Sequence, residues 1–395
     1  LGLLCNPLIQ HYRALPATEA NLQAEPYVPR VVSAHRPRVE EFDLERPPAE
    51  LVKLSSERLL ALDAAEMDTL KAYLRRADVL AERRTCGLGA KLTDVELQVF
   101  AQTWSEHCKH KIFNARIGYE EDGRTEVIDS LFDTYIRDTT ERVRAELGSR
   151  DYCLSVFSDN AGVVRWTPGW NLTFKAETHN SPSALDPYGG ALTGIVGVNR
   201  DPFGTGLGCR LIFNTDTFCF APPDWAGEIP PRLLHPRRIL EGVREGVEHG
   251  GNKSGIPTVN GSIVFDDRYL GKPLVYCGTG GLAPAVVAGR PSHQKRALPG
   301  DAIVMCGGRI GKDGIHGATF SSEELHEGSP ATAVQIGDPI TQKRMFDFLL
   351  VARDRGLYDS ITDNGAGGLS PSVGEMAREA GGAELDLTRA PLKYA

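Results

Sequence analysis

The 395-residue sequence contains no apolar run near the ~20 residues that a transmembrane helix requires. Its first residues also lack the basic segment and following apolar run of a secretory signal peptide. The formal net charge is -8, and no block of basic residues offsets it. A nucleic-acid surface would need such a block, so we expect neither a membrane nor a nucleic-acid partner.

The cysteines offer no metal or redox motif. All eight are widely scattered, and no two form a CxxC pair, so neither a zinc ribbon nor a redox site is indicated. A Gly-x-Cys-x-Gly nucleophile elbow is missing as well, so no glutaminase is evident in this chain. We expect a reduced, cytoplasmic protein.

The overall composition is that of a globular protein, with 41% hydrophobic and 24% charged residues. The length predicts two or three domains with a sizeable core. Glycine is abundant, at 42 residues, but it occurs in clusters between apolar runs. Clustered glycines favour shaped loops over disorder.

The helix signals are strongest before residue 150. Thr93 and Glu96 form a possible capping box for a helix whose apolar face continues through Trp104 to Cys108. Residues 127–147 are predicted to form another helix.

The middle of the chain looks like a sheet. Residues 152–290 alternate short β-branched runs with glycine turns, which predicts a mainly antiparallel sheet. One helix over 237–249 interrupts this pattern and is expected to end at Gly250-Gly251.

A linker-like stretch at 283–301 precedes a predicted strand at 302–307. The helices that follow are expected to begin at Asp338-Pro339 and at Ser370-Pro371. Each has a polar N-cap followed by proline, which suits the first position of a helix. The first of these helices is expected to end at Gly356.

The fold class predicted from this order is α+β. A small helical linker region would precede a sheet domain and then a second domain. The predicted divisions are an irregular segment at 1–50, the helical region at 51–85, the sheet domain at 86–290 and the second domain at 295–395.

The segment between Phe174 and Gly208 carries the richest chemistry. If residues 175–180 form a strand, Lys175, Glu177 and His179 project from one face. Such a patch is usually a solvated surface. The prolines and glycines that follow bend the chain as loops near a ligand do, which favours a binding site.

Other polar groups are candidates for the same site. His107 ends a helix and could exchange a proton near neutral pH, although a solvated helix end is the simpler interpretation. Arg200-Asp201 could be a surface turn or could bind phosphate and metal. The glycine-rich loop at 307–320 departs from the Walker pattern and is weak evidence by itself.

Together these segments resemble the ATP-dependent formylglycinamide ribonucleotide amidotransferases of purine synthesis, within the AIR synthase-like superfamily. The blocks occur in the family's order over about residues 86–395: TWSEHCKHKIFNA, KAETHNSPS, PYGGALTG, NRDPFG, GNKSGIPTVNG, DGIHGATF, VQIGDP and DNGAGGLS. The resemblance implies a sheet domain that forms half of a barrel and a C-terminal α/β domain beside it. A complete enzyme carries this module twice, so we expect the present chain to be a part of one. Residues 6–10 look like the tail of a fused small accessory subunit.

The resemblance also implies residue roles. The expected catalytic groups are His107 and His179, and the expected ATP-binding groups are Lys175 and His110. The expected substrate-binding residues are Thr178, His179, Asn180, Arg200 and Gln335, and the expected Mg²⁺ ligands are Glu177, Asp201 and Asp363. His110 stands where the small form of the enzyme commonly has tyrosine. Ser181 departs from the family's histidine at its position and cannot carry a proton at neutral pH.

The implied reaction is amidation of formylglycinamide ribonucleotide. ATP phosphorylates the amide oxygen, and ammonia displaces phosphate from the iminophosphate. The implied partners are a glutaminase domain or subunit that supplies ammonia, and a second AIR synthase-like half or a second copy of this chain. Two alternatives remain: another ATP-dependent enzyme of the superfamily, which the SEHC helix argues against, and a non-catalytic nucleotide-binding half.

Overall fold

The computed structural model describes residues 38–311, 314–320, 334–335 and 337–393. Its strands are β1 Glu41–Phe42, β2 Leu92–Thr93, β3 Arg116–Glu121, β4 Arg124–Asp129, β5 Cys153–Ser155, β6 Gly162–Thr167, β7 Trp170–Thr178, β8 Arg210–Phe220, β9 Thr258–Phe265, β10 Leu274–Pro284, β11 Val286–Val287 and β12 Arg290–Pro291. Its α-helices are α1 Pro48–Glu57, α2 Ala64–Leu74, α3 Ala77–Thr85, α4 Asp94–Thr103, α5 Glu106–Lys109, α6 Asp138–Leu147, α7 Asn180–Leu185, α8 Pro187–Phe203, α9 Pro236–Ser254, α10 Gly317–Phe320, α11 Pro339–Asp354 and α12 Leu369–Ala380. In this described part of the chain, no helix is both long and apolar enough to cross a membrane.

The N-terminal helices form a core of their own. Leucines and one methionine from α1, α2, β2 and α4 bury their side chains together, among them Leu51, Met67, Leu92 and Leu97. The predicted capping box of α4 is confirmed, since Thr93 accepts from the Glu96 N–H and Glu96 accepts from the Thr93 N–H. Such a cap stabilises a helix by about 1 kcal/mol.

The central sheet has six strands in the order β5-β6-β7-β10-β8-β9. Its pairs are antiparallel except β8 and β9, which run parallel. Helices α8 and α9 contribute apolar side chains that pack with strands β8 and β10 in a second core. The predicted fold class, α+β, is confirmed by this arrangement. The domain divisions stay predictions, and residues 1–37 lie outside the described residues.

Glycines allow α8 and α9 to approach closely. Gly242, Gly246 and Gly250 recur every four residues along α9, so they lie on one face of that helix. A Cβ at Gly246 would lie 2.5 Å from the Tyr188 carbonyl oxygen and 2.9 Å from the Leu192 nitrogen. The two backbones therefore touch where side chains would otherwise separate them.

Polar side chains lie between the sheet and α8. The Asn214 amide donates to Asn199 Oδ1 at 2.8 Å and to Thr279 Oγ1 at 2.6 Å, and all three residues are fully buried. Asp216, on the same strand, accepts from Thr258 Oγ1 at 3.0 Å. Burial raises the pKa of Asp216 to about 6, although the hydrogen bond from Thr258 opposes the shift.

The opposite face of the sheet is exposed. Phe174 is 40% exposed, and its ring and that of Phe213 lie against Gly278 and Gly280 of β10. The edge strand β9 is exposed along its whole length, including its apolar residues.

Helix α11 begins after the N-cap Asp338 and ends before Gly356, as predicted. The next predicted start is nearly correct, since α12 begins at Leu369. The predicted strand at 302–307 is wrong, because these residues form no regular element; a single bridge joins Ile310 to Leu392. Of the cysteines, the seven in the described residues are free.

Two helix predictions before residue 150 are correct only in part. Helix α4 ends at Thr103, and a new turn, α5, starts after Ser105, whose hydroxyl accepts from the Cys108 N–H at 3.1 Å. The predicted helix at 127–147 starts late: residues 124–129 form a hairpin with β3, and a π-helical segment, Phe132–Arg137, then leads into α6. The Asp122-Gly123 turn has positive φ at both residues, which is the conformation that favours tight hairpins.

The glycine-rich run after β7 is predicted to form turns, but it forms the 17-residue helix α8. Asp186 caps this helix, and Pro187 takes its first position. Packing against the sheet and α9 overrides the poor helix propensity of glycine. For the same reason α9 continues through Gly250-Gly251 and ends only at Gly255, which has φ +68°.

The close approach of α8 and α9 can be tested with two Gly→Ala variants. Gly246→Ala should destabilise the protein by about 1–3 kcal/mol, because the new methyl overlaps the backbone of α8. Gly374→Ala, on α12, meets nothing within 4 Å and should stabilise the protein by about 0.5–1 kcal/mol through helix propensity. Denaturant unfolding measures both; equal stabilities would refute the close packing.

The raised pKa of Asp216 predicts a pH-dependent stability. The unfolded side chain has a pKa near its ordinary value of 3.8, so between about pH 4 and 6 the folded state binds the proton more tightly. The free energy of unfolding should therefore fall as pH rises through this range. The free energy of unfolding of Asp216→Asn, relative to that of wild type, should rise by up to about 3 kcal/mol between pH 4 and 7. Unfolding at several pH values would show this; a constant difference between the two proteins would contradict it.

Candidate active site

Three segments that are far apart in the sequence meet beside the face of the sheet that packs against α8. Lys175 Nζ lies 3.2 Å from Asp201 Oδ2, and Arg200 Nε lies 3.1 Å from Asp363 Oδ2. These contacts join β7, the last turn of α8 and the segment before α12. The four residues come from three separate sequence motifs, and the fold brings them together.

Local structure explains the meeting. Lys175 and Glu177 alternate along β7 with the same parity as buried Thr173, so they face the helices. Gly204 ends α8, and a Cβ there would lie 3.2 Å from the Asp363 nitrogen. A glycine at this position therefore lets the two segments approach.

The carboxylates are close enough to perturb one another. Burial raises the pKa of Asp201 to about 7, and the charges of Asp363 and Glu177 add to this shift against the opposing effect of Lys175. Burial alone would lower the pKa of Lys175, but the carboxylates of Asp201 and Glu177 outweigh it and raise that pKa. The site is a compact set of alternating charges.

His107 also reaches this site. Its Nε2 lies 3.8 Å from Glu177 Oε1. Burial lowers the pKa of His107, although the Glu177 carboxylate opposes the shift and the nearby His110 adds to it. The imidazole is therefore neutral near pH 7 and can accept a proton. His110 is exposed at the end of α5 in a left-handed conformation.

His179 directly follows β7. Its Nδ1 is hydrogen-bonded to the carbonyl oxygen of Gly190, and burial lowers its pKa. Because a carbonyl can only accept, Nδ1 carries the hydrogen, and Nε2 is left as the acceptor of the neutral ring.

The neighbours of His179 differ in their surroundings. Thr178 is exposed at the end of β7. The amide oxygen of Asn180 accepts from the Val275 N–H at 2.8 Å. Ser181 is buried in the first turn of α7.

Gln335 contacts α8, but its contact lies about two helical turns away from the charged cluster. Its carbonyl accepts from Thr193 Oγ1, two helical turns before Arg200. A Cβ at Gly314 would lie 2.8 Å from the Cβ of Gln335, so the glycine-rich loop passes directly beside it. Lys312 and Asp313 of that loop lie outside the described residues.

Several neighbours of the cluster were missed by sequence reasoning. Asn160 donates to Asp363 Oδ1 at 3.2 Å, and its carbonyl accepts from Lys175 Nζ at 3.2 Å. Glu375 of α12 accepts from Thr362 at 3.3 Å, and burial raises the pKa of Glu375. The only signals for them were a polar turn after β5 and an acid on a helix face.

A metal site is supported by donor chemistry and not by the present arrangement. Within the described ranges, no group of three or more His, Cys, Asp or Glu side chains is arranged to hold a metal ion. Asp201 and Asp363 instead pair with cationic side chains. Carboxylate oxygens are nevertheless the donors that Mg²⁺ prefers, and three carboxylates act on one another here.

The arrangement suits phosphate chemistry. Lys175 and Arg200 can offer charge-assisted hydrogen bonds to phosphate oxygens in exchange for their carboxylate partners. A neutral histidine stands beside them. Together these groups can bind an anionic ligand and accept a proton from it.

Comparison with known proteins identifies the domains of this chain. Three family models match the chain: the formylglycinamide ribonucleotide amidotransferase linker domain at 51–111, the N-terminal domain of AIR synthase related proteins at 158–283, and their C-terminal domain at 299–394.

Curated relatives are phosphoribosylformylglycinamidine synthase subunits PurL. The Thermoplasma acidophilum subunit is 35% identical over 348 residues, which are 87% of this chain and 40% of the relative. The Thermotoga maritima subunit is 34% identical over 324 residues, 81% of this chain and 44% of the relative. The chain thus spans less than half the length of these relatives.

Solved structures of T. maritima PurL are similar in fold. The complex with FGAR has a TM-score of 0.58 at 31% identity, covering 81% of this chain and 44% of that one. The complex with ATP has a TM-score of 0.53 at 27% identity, covering 81% and 42%. The PurLQS structure of T. maritima has a TM-score of 0.53 at 29% identity, covering 81% and 42%. The chain therefore belongs to the AIR synthase-like superfamily, and its linker region and two AIR synthase-related domains are those of the phosphoribosylformylglycinamidine synthases.

Proposed function

We propose that this chain provides the ATP and substrate site for amidation of formylglycinamide ribonucleotide in purine biosynthesis. The observation that carries the proposal is the meeting of Lys175, Arg200 and their carboxylate partners beside His107. The relatives support it, since PurL of T. maritima has been solved with FGAR and with ATP. The relatives are longer than this chain, so its activity is proposed as part of a complete assembly.

The proposed reaction has two steps. The substrate amide oxygen attacks the γ-phosphorus of ATP and releases ADP, which leaves an iminophosphate. Ammonia then attacks the former amide carbon, phosphate leaves with the C–O electron pair, and loss of a proton yields the amidine. The protein's contribution is to hold the anionic groups and to accept protons.

His107 and His179 are the proposed proton acceptors. His107 is neutral, since burial lowers its pKa, and it borders the charged cluster, which suits acceptance of a proton from ammonia. His179 presents Nε2 as its free acceptor because Nδ1 is committed to Gly190.

The remaining roles follow the resemblance and the geometry. Lys175 and His110 are proposed to bind ATP. Arg200 is proposed to bind the substrate phosphate, and Thr178 and Gln335 to contact the rest of the ribonucleotide. Asn180 would offer its amide NH₂, because its oxygen is occupied by Val275.

We propose that Glu177, Asp201 and Asp363 would hold a Mg²⁺ ion. A magnesium ion there would neutralise charge on the nucleotide phosphates. Lys175 and Arg200, which here pair with Asp201 and Asp363, would bind phosphate oxygens.

The exposed sheet face points to a partner. Phe174 and Val264 are exposed apolar residues on this face, and an exposed apolar surface marks an interface. We propose that a second AIR synthase-like half covers it, from the same parent chain or from a second copy. The PurLQS structure of T. maritima suggests that a relative has partner subunits, and we propose a glutaminase as the ammonia source here.

Substitution of His107 tests the chemistry. In the catalytically competent assembly, His107→Ala should lower product formation by about 10²–10⁴-fold, the range for loss of an acid–base group. ATP affinity should change little, because the cations remain. Turnover assays and calorimetry measure the two effects.

The matched control is His249→Ala. His249 lies on α9, remote from the cluster, and is hydrogen-bonded to Tyr188 of α8. This variant should keep wild-type turnover. Near-normal turnover by His107→Ala would remove His107 from the mechanism.

The metal assignment can be tested without turnover. Glu177→Gln and Asp363→Asn should each weaken Mn²⁺ binding in the presence of ADP by about tenfold or more, since each removes a charged oxygen ligand. Electron paramagnetic resonance of free Mn²⁺ measures the affinity. Asp216 is a buried carboxylate outside the cluster, so Asp216→Asn should leave the Mn²⁺ affinity unchanged. Equal affinities in all three variants would reject the assignment.

A further inference from the structure

Lys295 lies between the ranges that match the two AIR synthase-related domains, and it is nearly buried, with 12% of its side chain exposed. Its ammonium group has three hydrogens, and the structure gives it three acceptors. These are Asp159 Oδ1 at 2.6 Å, the Gly204 carbonyl at 2.8 Å and the Ile361 carbonyl at 2.8 Å. The charge is therefore fully hydrogen-bonded.

Each acceptor adjoins a residue of the candidate site. Asp159 precedes Asn160, which contacts both Lys175 and Asp363. Gly204 ends the helix that carries Arg200 and Asp201. Ile361 lies two residues before Asp363. One side chain thus joins the three segments that carry the site.

Asp159 is held from its other side as well. Its Oδ2 accepts from the Gly206 N–H at 2.8 Å, and the side chain is only 8% exposed. Both oxygens of this carboxylate are used. The loop that contains Asn160 is consequently fixed against the end of α8 before it reaches Asp363.

Docking of the two domains does not depend on Lys295 alone. Arg353 donates to the Gly208 carbonyl at 3.0 Å, and Tyr358 donates to the Leu207 carbonyl at 2.8 Å. The rings of Phe203 and Phe346 stack with centroids 3.9 Å apart. The two hydrogen bonds join the same domains but bind residues beyond the end of α8.

A buried ammonium costs desolvation energy, which an apolar side chain would avoid. Its directional hydrogen bonds can, however, fix three segments in one geometry. We propose that Lys295, together with Asp159, is a positioning residue that holds Asn160, Asp363 and the end of α8 in the arrangement that binds and activates the nucleotide. This proposal rests on the proposed function for its catalytic consequence.

Lys295→Met and the matched control Tyr358→Phe each remove hydrogen bonds between the domains. In the catalytically competent assembly, Lys295→Met should lower kcat by about tenfold or more beyond any effect of reduced thermal stability. Tyr358→Phe should retain kcat within about twofold. Lys295→Arg, which keeps the charge and donors, should recover part of the lost kcat.

Asp159 provides the second half of the test. Asp159→Asn keeps an oxygen acceptor for Lys295, so it should retain more activity than Asp159→Leu. If losses of kcat in all these variants simply follow their melting temperatures, Lys295 and Asp159 are structural residues and the inference is wrong.

Crystal structures test positioning independently of the proposed reaction. In Lys295→Met, the Asn160–Asp363 hydrogen bond should lengthen beyond about 3.5 Å, the outer limit of a hydrogen bond, while Tyr358→Phe keeps it. An unchanged contact in Lys295→Met would overturn the inference. If the wild-type assembly lacks FGAR-dependent ATP turnover, the proposed function fails, and these structures still decide the positioning role.

Discussion

The site depends on how closely α8 packs between the central sheet and α9. The glycines of α9 allow backbone contact on one side of α8, and the buried Asn199–Asn214–Thr279 cluster joins its other side to the sheet. This packing brings the last turn of α8 opposite β7, where Lys175 meets Asp201. A shift of α8 by one turn, about 5.4 Å, would separate these charges and their partners.

The charges themselves explain why the site is poised for an anionic ligand. Lys175 and Arg200 each have a carboxylate partner. Burial raises the pKa of Asp201, and the neighbouring carboxylates of Asp363 and Glu177 add to the shift. Under the proposed function, a nucleotide with its metal would offer both sets of groups new partners: phosphates for the cations, and a divalent ion for the acids. Binding would then be an exchange of partners within a pre-arranged cluster, with Lys295 and Asp159 fixing the backbone around it.

Much of the site could be predicted from residue patterns. Alternation along β7 correctly placed Lys175 and Glu177 on one face, and the Thr93–Glu96 cap correctly began the helix that leads toward His107. Local signals also existed for features that were missed. The Asp122-Gly123 pair is a strong hairpin signal, yet the predicted helix at 127–147 included the last three residues of β4. Helix α8 was not predicted because its glycines disfavour a helix, and the helix is stabilised only by its tertiary contacts.

Motif order and strand alternation are properties of the sequence alone, so they were enough to indicate the superfamily, the fold class and the candidate residues. They could not reveal Asn160, Glu375 or Lys295, whose importance comes from contacts with residues that are mostly far away along the chain. Which carboxylate faces which cation was settled by packing in three dimensions, and burial together with these neighbours shifts the pKa values. Hydrogen bonding and desolvation act over short distances in space, and separation along the chain does not report those distances.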